Sequence, residues 1–150
     1  MKARVLAIAA VGVLAACSAP PPTITEATWQ VTNIWTDPGA PAAVPVGGAL
    51  AFGEASLAGT TGCSPIQGAV TFTRDGATVA AKDAQSVTID RIEVEAAPAD
   101  CRAAWTHEQL SALLVPGATF DLYQPHDTEL TLTLRGDEID RPAIGLSSLG

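Results

Sequence analysis

Cys63, Cys101, His107 and His126 are the first side chains to weigh as nucleophile, base or metal ligand. Cys63 sits in GTTGCSPIQG, residues 59–68, where Gly59, Gly62 and Gly68 free the backbone to bend. Such a stretch suits a loop presenting a nucleophilic thiol, and it equally suits a turn that ties the chain to another part of the molecule. Attack by Cys63 would need a thiolate and a base beside it. The two histidines are the available bases, but His126 lies in QPHDTE, which reads as a turn between strands, and His107 falls in the first turn of a helix. Neither C-x-x-C nor H-x-x-x-H spacing occurs, so these residues do not read as a metal site. A hydrolase would need two converging acidic or nucleophilic groups. Asp121, Asp127, Glu129, Asp137, Glu138 and Asp140 are available, but no motif surrounds them, and no D-x-D-x-D-G loop marks a calcium site. The expectation is a chain with no catalytic residue, no metal and no cofactor.

The N-terminal residues bear on where the thiols reside. Lys2 and Arg4 precede an apolar, uncharged run from Val5 to Ala16, and LAACS follows at 14–18. These are the parts of an export signal, with cysteine where the mature chain would start. Leu-Ala-Ala-Cys resembles the lipobox of bacterial lipoproteins. The resemblance implies that residues 1–16 are a signal peptide and that Cys17 carries diacylglycerol and fatty acyl groups such as palmitate. The protein would then be held on the extracytoplasmic face of the cell membrane. The apolar run is shorter than the ~20 residues that span a bilayer. Residues 18–26, SAPPPTITE, are rich in proline and stay extended, so residues 17–26 read as a lipidated tether and 27–150 as one domain.

With Cys17 committed to lipid, Cys63 and Cys101 remain, and in an oxidising setting they are expected to pair with each other. Such a bridge across 38 residues contributes about 3–4 kcal/mol on the chain-entropy account. The formal charge is −8, and removing the two positive charges Lys2 and Arg4 takes it to −10. A chain this acidic, with no basic patch, repels nucleic acid and anionic headgroups. Nucleic acid is therefore excluded as a partner, and the membrane is met through the lipid alone.

The elements that must position these residues are mostly strands. TWQVTNIW alternates from Trp29 and Val31 to Ile34 and Trp35, ALAF (49–52) is a short strand, and DPGAPAAVPVGG (37–48) between them is a loop. GAVTFTRDGATVAA reads as a hairpin turning at Asp75-Gly76. In SVTIDRIEVEAA the apolar phase slips between Ile89 and Ile92, which predicts a bulge or turn at Asp90-Arg91. Phe120 and Leu122, then Leu130, Leu132 and Leu134, form the arms of another hairpin, and Ile144 and Leu146 close the chain. One helix interrupts the strands. WTHEQLSALLVPG predicts a capping box at Thr106 and Gln109, a Trp105–Leu110 staple, Glu108 in the first turn, an inward stripe of Leu110, Leu113 and Leu114, and a stop at Pro116-Gly117. The expected class is mainly β (α+β): a curved antiparallel sheet or partly open barrel with one helix packed on it.

The order of these features resembles the META/HslJ domain of secreted and lipid-anchored bacterial proteins. The resemblance is carried by Trp29, Phe52, Gly59, Gly62, Cys63, Ile66 and Gly68, extended by Cys101, Glu108, Leu113, Leu130 and Leu132, over residues 27 to 149. The chain departs from that pattern with Ser64 where an asparagine is usual and Val70 where a tyrosine is common. The resemblance implies a strongly curved antiparallel sheet with one helix, no catalytic machinery, and a general link to envelope stress and drug tolerance. The functional expectation is thus an extracytoplasmic lipoprotein with a non-enzymatic binding or envelope-support module. An envelope protein or a small ligand would be its partner. The rivals are a small-ligand carrier using the barrel mouth and, further off, an envelope hydrolase.

Overall fold

Period-two alternation places one apolar face on every strand, and the structure buries those faces by rolling the sheet shut. The computed structural model describes residues 23–37 and 39–149. The strands are β1 (Thr28–Trp35), β2 (Ala49–Phe52), β3 (Ser56–Thr60), β4 (Pro65–Arg74), β5 (Ala77–Thr78), β6 (Ser86–Val94), β7 (Thr119–His126), β8 (Glu129–Leu134) and β9 (Ala143–Ser147). The helix α1 (Ala104–Leu113) lies between β6 and β7. All pairings are antiparallel. Each strand pairs with the next in the chain apart from β5, a two-residue strand that folds back on the end of β4 and leaves β4 to pair with β6, and β9 returns to β1. The result is an eight-stranded up-and-down barrel.

The barrel is closed rather than partly open. Closure rests on β3, which pairs with β2 on one side and β4 on the other. Its sequence, SLAGT, has a single fully buried apolar side chain, Leu57, so it carries almost no alternation signal. Gly59 and Gly68 belong to these paired strands and not to a turn, which corrects the expectation that all three glycines shape the bend around Cys63. A Cβ on Gly59 would lie 2.1 Å from the Ala49 carbonyl oxygen, so that strand approach admits only glycine.

Two bulges set which way side chains point. On β6 the register slips opposite Ala69 and Val70, leaving Asp90 as the extra residue and carrying the apolar phase from Ile89 to Ile92, where the sequence predicts it. On β1 the slip falls between Val31 and Asn33, so that Val31 and Ile34 both face inward while Asn33 and Trp35 face out. The Asp75-Gly76 turn has positive φ at both residues, as a tight hairpin of this hand requires.

Trp29, Phe72, Phe120, Leu50, Leu132 and Ile144, each no more than 1% exposed, fill the interior, joined by Leu110, Leu113 and Leu114 from the helix side. Each such side chain contributes about 1.5–3 kcal/mol by leaving water. Strand directions define two ends. The upper end carries α1 and the 36–48 and 135–142 loops, and the lower end carries Thr23 and the turns at 75–76 and 127–128.

At the lower end the expected tether boundary moves. Ile24–Glu26 form a 3-10 turn, Ile24 is in the core, and its carbonyl accepts the Trp29 indole N–H at 3.0 Å. The packed domain therefore includes residues placed in the tether by their proline-rich neighbourhood. Residues 1–22, with the signal segment, Cys17 and most of the tether, lie outside the described residues. Among the described residues no helix is long and apolar enough to cross a membrane.

Candidate functional site

The structure brings Cys63, Cys101 and His107 together, and the arrangement is a fastening. Cys63 and Cys101 form a disulfide, with Cα atoms 5.8 Å apart. Cys63 is therefore no free thiol. The turn from Thr61 to Ser64 is organised by the Thr61 hydroxyl, which is fully buried. Its oxygen accepts the backbone N–H of Cys63 (3.2 Å) and of Ser64 (3.0 Å) and lies 2.9 Å from His107 Nδ1. The same hydroxyl has the Ser64 carbonyl in reach as an acceptor at 3.3 Å, so its one proton is shared between that carbonyl and the contact with His107. Gly62, at φ +90°, makes the bend, and a Cβ there would stand 2.7 Å from that of Ala103. Ser64, where the resembled family has asparagine, donates to the Ala96 carbonyl at 3.2 Å. Nothing in the sequence marks Thr61, because a threonine two residues before a bridged cysteine carries no local sign of burial.

The helix starts earlier than the capping box predicts. It begins at Ala104 with Ala103 at its cap, no side chain caps it, and no acidic residue lies in its first turn, so Glu108 is not there. Thr106 is inside the helix and donates its hydroxyl to the Val46 carbonyl at 3.0 Å. Trp105 is 41% exposed and forms no staple. The physical reason is tertiary: the 36–48 loop crosses the first turn and takes the threonine hydroxyl, while Ala103 packs against Gly62 and Gly47. The leucine stripe and the stop before Pro116 agree with the sequence.

Of the carboxylates, Asp121 is held. Arg135 donates to it at 2.5 and 3.1 Å and Arg141 at 2.9 Å. Burial alone would raise its pKa, but the hydrogen bonds and charges of the two guanidinium groups outweigh it and keep the carboxyl below the ordinary value of 3.8. Asp127, Glu129, Asp137, Glu138 and Asp140 are exposed. Among the described residues, no three His, Cys, Asp or Glu side chains converge as a metal site would require.

Concave features lie on the outside of the barrel. At the lower mouth a groove of about 450 Å³ is bordered by Ile24, Ala81, Leu122, Lys82, Gln124 and His126, and the buried Ile24 closes its floor. The more extended feature is the outer face of β1, β9 and β8. Gly145 pairs with Asn33 on one side and Thr131 on the other, and Ala143 pairs with Trp35 and Thr133. Trp35, 38% exposed, leans over Gly145: a Cβ there would lie 3.3 Å from ring atom Cζ3. Two grooves, of about 360 and 410 Å³, meet at this ring. The sequence held no signal for it: strict alternation from Trp29 and Val31 turns Trp35 inward, and only the bulge between Val31 and Asn33 turns it out.

The chain matches no family model, no curated protein and no solved structure.

Proposed function

We propose that this chain is a lipid-anchored, non-enzymatic binding module of the cell envelope, built on a META/HslJ-like domain. The carrying observation is the pairing of Cys63 with Cys101 in a barrel whose interior is filled. The bridge suits an oxidising, extracytoplasmic setting and consumes the thiol of Cys63, whose turn the Thr61 hydroxyl links to His107. The filled interior turns recognition to the outer surface. LAAC at residues 14–17 supplies the anchor, and six residues from Cys17 to Thr23 reach at most about 20 Å. The lower end would then face the membrane, with α1 and the Trp35 face turned away or sideways. The second reading, a small-ligand carrier, is favoured by the groove at the lower mouth.

The test is expression in a bacterium that exports lipoproteins, with mass spectrometry of the membrane-extracted chain. The expected result is a mature terminus at acylated Cys17, and release or an uncut precursor for Cys17→Ala. An unmodified Cys17, or a terminus elsewhere, overturns the proposal.

A further inference from the structure

We propose that the outer face of β1, β9 and β8 centred on Trp35 binds a neutral polysaccharide strand, such as the acetylated amino-sugar chains of a cell envelope; the choice of polymer rests on the extracytoplasmic placement proposed above. A pyranose ring has an apolar face of C–H bonds and a rim of hydroxyl and amide groups. Its complement is an aromatic ring with polar side chains beside it on a flat floor. The bulge in β1 turns Asn33 and Trp35 outward together. Gly145 keeps the floor low beneath the indole ring. The Asn33 amide and the hydroxyls of Thr131, Thr133 and Ser147 line the track on either side.

The track also has the right extent and charge. Ala143 to Ser147 is four steps along β9, about 13 Å at ~3.3 Å per residue, and the two grooves continue one another across Trp35. Both are surface grooves, which suits a chain passing through better than a small molecule held in place. Of the cations beside the track, Arg141 already pairs with Asp121, which also holds Arg135. Among the described residues Asp37, Asp140 and Glu129 border the grooves without such partners, on a chain of formal charge −8. A polyanion is repelled there, whereas carboxylates accept hydrogen bonds from sugar hydroxyls.

The test uses the full chain in a sugar-free non-ionic detergent. Tryptophan emission is titrated with neutral N-acetylglucosamine oligomers, with co-sedimentation on insoluble chitin and dextran sulfate as the anionic comparison. The wild type is expected to give a saturable emission change and to sediment with chitin. Trp35→Ala should weaken binding at least about tenfold (~1.4 kcal/mol). Gly145→Thr should do the same by displacing the ring, and Trp105→Ala should stay within about twofold. Melting curves show whether each variant is folded, and the Gly145 and Trp35 variants check one another. No binding by the wild type, undiminished binding by both variants, or preference for dextran sulfate overturns the proposal. Cys17→Ala should bind the oligomers as well as the wild type, so failure of acylation and failure of glycan binding are separate results.

Discussion

Thr61→Val tests whether the turn at Cys63 is held by one hydroxyl. The substitution keeps the side chain's shape and removes Oγ1, at a residue with no exposed surface. Two backbone N–H groups lose their acceptor: that of Ser64, which is buried, and that of Cys63, which is partly buried. His107 Nδ1 loses its partner as well. A buried donor left unpaired costs about 1–3 kcal/mol. Counting the Ser64 group in full and the partly exposed groups at the low end gives about 2–4 kcal/mol. For a domain of this size each kcal/mol moves the Tm by roughly 3–5 °C, so a fall of about 6–20 °C is expected. The assay is thermal and urea unfolding of the oxidised chain, with an unchanged m-value showing that only the native state has changed. A cycle with His107→Ala apportions the loss, and a coupling of about 0.5–1.5 kcal/mol is expected for the side-chain pair. A Tm drop below about 2 °C would refute the reasoning, because the disulfide, the Thr60 hydroxyl and the Thr61 N–H bond to the Ser64 carbonyl would then suffice to hold the turn.

Replacing both Cys63 and Cys101 by serine should cost about 2–5 kcal/mol, and thiol counting on the unfolded, oxidised chain should find neither cysteine free. Asp121→Asn should lower the Tm at neutral pH, and the difference should shrink as pH falls below 3.8. The folded carboxyl lies below its ordinary value of 3.8, so its contribution is present above that value and is lost as pH falls through the folded pKa. A difference that persists in acid would mean that packing, not charge, is at stake. Gly59→Ala, whose new Cβ would press on the Ala49 carbonyl, should destabilise by more than about 2 kcal/mol. Gly76→Ala, with open space but positive φ, should cost about 1–2 kcal/mol. The reverse order by urea unfolding would show that β3 yields where the barrel closes.

What the sequence determines by itself follows from short-range physics. Alternation in TWQVTNIW, SVTIDRIEV and ELTLTL is a property of neighbouring side chains, so these strands and their inward residues Trp29, Val87, Ile89, Leu130 and Leu132 can be read directly. The Asp75-Gly76 turn and the slip at Asp90 are local in the same way. The count of three cysteines, read with the export signal that sets Cys17 apart, likewise suffices to expect the Cys63–Cys101 bridge. Tertiary structure decided the features that depend on distant backbone. SLAGT becomes a strand because edges on both sides offer hydrogen bonds, and its own side chains carry no signal, so closure of the barrel was not legible. Thr106 looks like a helix cap until the 36–48 loop arrives to accept its hydroxyl, and Ile24 looks like tether until the barrel end covers it. Trp35 and Gly145 stand 110 residues apart in the chain, and only the pairing of β1 with β9 lays one over the other.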